Sequence, residues 1–166
     1  MDAAPILARI ARLFAAHGLE AVVVGNAAAA LQGAPVTTVD IDFFFRRTPA
    51  NLRKLTAIAR DLDAVLLKPH YPASRMIRIS RDEDGLQLDF MSEIDGIRSF
   101  EGIRRRSREV SFAGTVLRIA SLPDIIKSKK AAGRPRDVAV LPILEKTLAE
   151  TPHHQTGPPG RFEKRK

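Results

Sequence analysis

The sequence predicts an α/β (α+β) domain in which a mixed, mostly antiparallel central sheet of about five strands is flanked by helices. Two observations predict this fold class. Short apolar, β-branched runs alternate along the chain with stretches of helical periodicity, and glycine and proline separate them. A content of 45% hydrophobic and 28% charged residues is ordinary for a globular protein. We expect one domain over residues 1–150 and a disordered basic tail over residues 151–166.

The first elements read as a helix, a strand and a second helix. Apolar residues at helical spacing predict an amphipathic helix over residues 5–17. Residues 21–24 are a short apolar run typical of a buried strand. A turn at Gly25-Asn26 then leads into a run of strong helix formers over residues 27–32.

The remaining elements follow from the same signals. A strand over residues 39–45 contains three consecutive phenylalanines, which suit a central strand covered on both faces. Thr48 is expected to cap a helix that begins at Pro49 and extends to residue 61. Pro142 should kink the last helix or mark a break in it. We expect further strands over residues 64–67, 75–81, 86–91, 109–112 and 115–119, and helices over residues 121–132 and 136–149.

Two aspartates stand out in the strand over residues 39–45. Asp40 and Asp42 are two positions apart, so on a strand both side chains point to the same face. Two close carboxylates in an apolar setting repel each other and lose hydration, and a divalent cation is the natural compensation. Asp89, on the strand over residues 86–91, would complete a set of oxygen ligands suited to Mg²⁺ if the two strands are neighbours.

A phosphate site is expected next to this acidic strand. Gly25 and Asn26 lie where a strand turns into a helix, and free N–H groups at such a position favour an anion. Gly25 lets the backbone approach a phosphate closely. An anion site and a cation site within one short unit are what phosphoryl transfer requires.

The order of these motifs resembles the DNA-polymerase-beta-like nucleotidyltransferase superfamily. That family has a glycine turn that opens a helix, then Asp-x-Asp on the next strand, then a third aspartate on a later strand. The matching positions here are Gly25-Asn26, Asp40 and Asp42, and Asp89.

More narrowly, the chain is similar to minimal bacterial nucleotidyltransferases grouped with the AbiEii-type toxins of toxin–antitoxin and phage-defence systems. Thr38 matches their threonine two residues before Asp-x-Asp. Their late Asp-Leu-Ile-x-x-Lys-x-x-x-Gly-Arg-x-x-Asp signature is matched at Asp124, Lys129, Gly133, Arg134 and Asp137. The chain departs from the pattern where Asn26 replaces a glycine or serine, and where Val36 stands in place of a frequent arginine.

The resemblance implies transfer of a nucleoside monophosphate from a nucleoside triphosphate (NTP) to a hydroxyl acceptor, an RNA 3′ end or a protein. It implies that Asp40, Asp42 and Asp89 hold two Mg²⁺ ions, with Mn²⁺ as the alternative metal. Gly25, Asn26, Thr38 and Lys129 are expected to bind the nucleotide. The alternative is a non-catalytic binding or antitoxin module with the same fold, which the departures at Asn26 and Val36 favour.

Charge and cysteine content add two expectations about partners and location. Of the formal net charge of +8, residues 92–166 carry +7, which favours a polyanionic partner such as tRNA or another RNA, the alternative being a solvated basic surface. The chain has no cysteine, no stretch typical of a secretory signal and no apolar run of membrane-spanning length. We therefore expect a cytoplasmic protein with no membrane contact.

Overall fold

The computed structural model describes residues 4–151, and the predicted tail and its His153-His154 pair lie almost wholly outside them. Seven strands form one sheet, in the spatial order β3-β4-β5-β2-β1-β7-β6. The strands are β1 (Ala21–Val24), β2 (Ile41–Phe45), β3 (Val65–Leu67), β4 (Ile77–Arg81), β5 (Leu86–Met91), β6 (Arg108–Phe112) and β7 (Thr115–Ile119). The helices are α1 (Ala4–His17), α2 (Gly25–Ala30), α3 (Pro49–Asp61), α4 (Phe100–Arg106), α5 (Leu122–Ala132) and α6 (Pro135–Glu150).

The predicted fold class is confirmed, because the sheet is mixed and mostly antiparallel. Strand β1 is antiparallel to β2 and parallel to β7, and β2 is parallel to β5. The remaining pairs, β3 with β4, β4 with β5 and β6 with β7, are antiparallel. The expected count of about five strands was too low. All seven strand candidates in the sequence join the same sheet.

The strand β2 is the middle strand of the sheet, which explains its run of phenylalanines. Side chains alternate along a strand, so Phe43 and Phe45 face one side and Phe44 the other. Phe43 stacks on Phe90 with ring centroids 4.9 Å apart, and Phe44 meets Phe100 at 5.8 Å. Both faces of β2 are therefore covered, as a central strand requires.

Two side chains cap helices in the structure, and the first of these caps, at Thr48, was expected from the sequence. The Thr48 side chain accepts a hydrogen bond from the Asn51 backbone N–H at the start of α3. Ser121 does the same for Asp124 at the start of α5. These caps fix where the two helices begin, and both helices match their predicted ranges closely.

Four local expectations need correction. Asp40 lies just before β2, which begins at Ile41. Gly25 and Asn26 form the first turn of α2 and are not a separate turn before it. Helix α4 was not expected, because its arginines hid the apolar spacing of Phe100 and Ile103, which are buried. Helix α6 continues through Pro142, so of the two effects expected there, a kink or a break, the break is wrong. Over residues 4–151, no helix is both long and apolar enough to cross a membrane.

Candidate active site

Three charged side chains lie in a row across three neighbouring strands. Asp42 on β2 is directly beside Asp89 on β5, and Asp89 is directly opposite Arg78 on β4. Directly paired residues point to the same face of a sheet. The register therefore places carboxylate, carboxylate and guanidinium side by side on one face.

The three predicted acids come together at one end of this row. Asp40, Asp42 and Asp89 each offer a carboxylate oxygen, and these oxygens lie within 4.8 Å of one another. Burial, and then the charges of Asp40 and Asp89, raise the pKa of Asp42 to about 7, although Lys129 and Arg136 act in the opposite direction. Within residues 4–151 no hydrogen bond or ion pair reaches the Asp42 carboxylate, so its charge is the least compensated of the three.

Asp40 is held by two polar neighbours. The Thr38 hydroxyl donates to Asp40 Oδ1 at 2.8 Å. Gln87 Nε2 lies 3.3 Å from Asp40 Oδ2 and 3.4 Å from Asp89 Oδ2, so it links two of the three acids. Thr38 was expected among the nucleotide-binding residues. In the structure its hydroxyl is engaged with Asp40, which orients that carboxylate.

Asp89 is paired with Arg78, a residue that the sequence reasoning did not single out. Arg78 Nε donates to Asp89 Oδ1 and Nη2 donates to Asp89 Oδ2, each at 2.7 Å. The pairing of Arg78 with Asp89 could have been predicted from the position of the hairpin turn. If the turn over residues 82–85 is taken as the centre of the hairpin, position 78 falls opposite position 89, as observed.

Gly25 makes a close approach to Asp42 that only glycine permits. Its φ is +64°, in the left-handed region, and a Cβ added there would lie 2.6 Å from Asp42 Oδ2. Asn26 follows it, and its Nδ2 donates to the Thr37 carbonyl at 3.3 Å. The amide of Asn26 is thus engaged with the backbone of the loop that precedes β2.

The late signature builds the joint between α5 and α6. Gly133 ends α5 in the left-handed conformation with φ of 62°. Across this joint, Lys129 Nζ lies 3.0 Å from Asp137 Oδ1 and Arg134 Nε lies 2.6 Å from Asp137 Oδ2. Burial works to raise the pKa of Asp137, but the hydrogen bonds from Arg134 and Lys129 outweigh it and the net pKa is lowered.

One large cavity connects these groups. Its volume is about 1240 Å³, and its walls include every predicted site residue. The lining includes Lys129 and Arg136 from α5 and α6. The lining also includes the loops over residues 72–76 and 92–95. The volume exceeds the roughly 300–1,000 Å³ of a typical small-molecule site, so two reactants can occupy it together.

The donor set fits a hard divalent cation. The converging ligand atoms are carboxylate oxygens, which Mg²⁺ and Mn²⁺ prefer, and the chain has no cysteine to select a softer metal. Burial, and then the charges of Asp40 and Asp89, disfavour the ionised form of Asp42, and a cation bound to its carboxylate would favour that form. Asp40, Asp42 and Asp89 are the residues that would hold such an ion.

Comparison with known families gives a match over most of the chain. Residues 3–155 match the model of a family described as "Nucleotidyl transferase of unknown function (DUF2204)". No match is found among curated proteins.

Several solved structures share the fold. The antibiotic-resistance factor ANT(2″)-Ia superposes with a TM-score of 0.61 at 16% identity, over 87% of this chain and 83% of that one. The lincosamide antibiotic adenylyltransferase LnuA, solved with lincomycin bound, gives 0.59 at 13% identity, over 83% and 93%. An antigenic nucleotidyltransferase-like protein from Paracoccidioides brasiliensis gives 0.58 at 12% identity, over 88% and 75%. At these identities the likeness shows a common fold.

Proposed function

Because the chain belongs to this nucleotidyl transferase family, we propose that it moves a nucleoside monophosphate from an NTP to an acceptor hydroxyl with the help of Mg²⁺. The observation that carries the proposal is the convergence of Asp40, Asp42 and Asp89 at the wall of a cavity large enough for two substrates. The acceptor oxygen forms a bond to the α-phosphorus, the bond from that phosphorus to the β-phosphate oxygen breaks, and pyrophosphate leaves.

In this proposal the three acids have different roles. Bound Mg²⁺ would supply Lewis acidity and counter-charge for the phosphates. Asp40 and Asp42 would hold it, with Thr38 fixing the Asp40 carboxylate by its hydrogen bond. Asp89 would contribute a further oxygen and accept the proton that the acceptor hydroxyl loses.

The triphosphate is proposed to lie between α2 and the joint of α5 and α6. Gly25 allows a phosphate to approach the backbone beside Asp42. Lys129 would neutralise charge on the departing pyrophosphate, because it is held at the cavity wall by Asp137 and already acts on Asp42. Asn26 is proposed to contribute from the same turn, once its amide leaves the Thr37 carbonyl.

Incorporation of label tests this proposal. Each α-labelled NTP is incubated with the protein, Mg²⁺ and a cell extract, and labelled macromolecules are counted. We expect Asp42→Asn to reduce incorporation at least about 100-fold, equivalent to about 2.7 kcal/mol of transition-state stabilisation. Asp84→Asn is the matched control, because Asp84 lies at an exposed hairpin turn and pairs with Arg81.

Equal incorporation by wild type and Asp42→Asn would contradict the proposal. A different outcome would assign a non-catalytic binding module: tight binding of RNA or of a protein partner that survives both EDTA and Asp42→Asn, with no NTP turnover. A quick first measurement is the change in melting temperature when NTP and Mg²⁺ are added together, since a ligand that binds only the folded state stabilises it.

For the acceptor we propose an RNA 3′ end such as that of tRNA, in a cytoplasmic toxin–antitoxin or phage-defence setting. The support is the +7 charge of residues 92–166. Within residues 4–151, Arg104 is paired with Glu20 and Arg106 with Asp124, whereas Arg105 and Arg108 are exposed and unpaired, so the latter two are the arginines proposed to contact RNA.

The affinity for tRNA, measured at several salt concentrations, distinguishes an RNA acceptor from a protein acceptor. Replacing Arg105 and Arg108 by glutamine should weaken tRNA binding and reduce its salt dependence, while nucleotide binding remains. Unchanged affinity would move the proposal to a protein hydroxyl. For the toxin setting, wild type but not Asp42→Asn should arrest growth when expressed, and equal growth of both strains would refute it.

A further inference from the structure

The pair between Arg78 and Asp89 occupies a carboxylate that the proposed function needs. Both Asp89 oxygens accept a hydrogen bond from the guanidinium at 2.7 Å, in a two-pronged arrangement. The Asp89 side chain is 5% exposed and that of Arg78 is 28% exposed, so the pair is largely shielded from water. Such charge-assisted double hydrogen bonds are among the strongest in proteins.

Asp40 and Asp42 are in a different situation. Asp40 accepts from neutral groups, Thr38 and Gln87, and Asp42 has no hydrogen-bonding partner within residues 4–151. A cation entering the cluster therefore finds two carboxylates that are not paired with a positive charge. The third carboxylate, Asp89, is already neutralised by the Arg78 guanidinium, which is positively charged like the incoming cation.

We infer that Arg78 is a positioning residue for Asp89, which it holds in place as a resident cation, so that a divalent ion must compete with it for that carboxylate. This inference rests on the proposed function, because it concerns the metal site of that reaction. Arg78 lines the cavity, so its guanidinium has open space to enter when it leaves Asp89. The metal site is then complete only when the metal ion displaces Arg78 from Asp89 or shares the Asp89 carboxylate with it.

The size of the competition follows from simple electrostatics. The Arg78 guanidinium repels an incoming cation and occupies both oxygens of Asp89 that the cation would bind. Removing the guanidinium should therefore tighten metal binding at the cluster by at least about 10-fold.

Titration of Mn²⁺ followed by electron paramagnetic resonance, without nucleotide, tests this expectation. Arg78→Met keeps the length of the side chain and removes its charge. We expect it to bind Mn²⁺ at least about 10-fold more tightly than wild type, and Arg78→Lys to lie between the two. The matched control is Arg75→Met, which removes a charge from the same cavity at an exposed residue 3.9 Å from Glu93. It should change the affinity less than about 2-fold.

A folded Arg78→Met variant with wild-type Mn²⁺ affinity would overturn the inference and leave Arg78 as a structural partner of Asp89. An equal gain in Arg75→Met would also overturn it, because the effect would then be general charge. If Arg78→Met does not fold, the inference is tested on the wild-type protein by nuclear magnetic resonance. The Nε–H signal of Arg78, assigned with Arg78→Lys, should shift and exchange faster with water at saturating Mg²⁺, and an unchanged signal would overturn the inference.

Failure of this inference and failure of the proposed function give different results. If Arg78 is only structural, Mn²⁺ binds all variants alike and label transfer from NTP still depends on Asp42. If the proposed function fails, no label is transferred, while the Mn²⁺ affinities of wild type and Arg78→Met still differ. If neither protein binds Mn²⁺, the inference is refuted, since removal of Arg78 does not open a metal site.

Discussion

Substitution of Gly25 by alanine should have two effects: strain in the backbone, which lowers stability, and displacement of the Asp42 carboxylate, which lowers activity. Gly25 has φ of +64°, where any residue with a Cβ is strained by about 1–2 kcal/mol. The new methyl group would also lie 2.6 Å from Asp42 Oδ2, whereas ordinary contacts begin at 3.4 Å. The atom in the way is the end of a side chain, so Asp42 can yield by rotating, and the carboxylate should move by about 0.8 Å.

The loss of transition-state stabilisation should exceed the loss of stability. Displacement of a reacting group by about 1 Å costs on the order of 100-fold in rate. We therefore expect Gly25→Ala to lose about 100-fold in nucleotidyl transfer and to bind Mn²⁺ more weakly. Its free energy of unfolding should fall by only about 1–2 kcal/mol.

Gly85→Ala is the matched control for this experiment. Gly85 has φ of +69° and no heavy atom within 4 Å of the position of a Cβ, so it carries the same strain without the contact. Chemical denaturation and label transfer are measured on both variants. Equal losses of stability with a loss of activity only in Gly25→Ala are expected. Wild-type activity and Mn²⁺ affinity in Gly25→Ala would refute the proposed approach of Gly25 to Asp42.

Three further predictions concern stability. In EDTA, the unfolding free energy of wild type relative to Asp42→Asn should fall as the pH rises from about 4 to about 7 and then level off. The pKa of Asp42 is raised from 3.8 to about 7 on folding, so the folded state binds the proton more tightly; parallel pH curves would contradict this. Lys129→Met should cost about 1–3 kcal/mol in urea denaturation, because it removes a donor from buried Asp137, and exposed Lys127→Met should cost almost nothing. Ser121→Ala should cost about 0.5–2 kcal/mol by removing the cap of α5, and a melting temperature equal to that of wild type would refute that role.

The sequence predicted most elements because their signals are local. Helix α3 starts and ends at its predicted residues, since a capping Thr48 and an initial Pro49 act within one turn of the chain. The seven strands were each visible in the sequence, as short apolar runs or, over residues 75–81, as alternating basic and apolar residues. Their number in one sheet was not visible, because pairing joins segments far apart in sequence.

The site was predictable in its acids and not in their partners. Two aspartates two positions apart in an apolar segment are unusual enough to mark a candidate site from sequence, although Asp40 lies just before β2. The partner of Asp89 depends on the register of the hairpin, and a shift of one residue would have turned Arg78 to the other face. The engagement of Thr38 with Asp40 likewise depends on the loop before β2, whose path no periodic pattern specifies.

Diffraction from crystals grown with Mn²⁺ and a non-hydrolysable NTP tests the central claim most directly, since the anomalous signal locates the ion. The account predicts Mn²⁺ about 2.0–2.2 Å from oxygens of Asp40 and Asp42, with the triphosphate bound to the same ion beside Gly25. A nucleotide bound with its phosphates elsewhere, or an occupied nucleotide site with no Mn²⁺ at these two carboxylates, would contradict it.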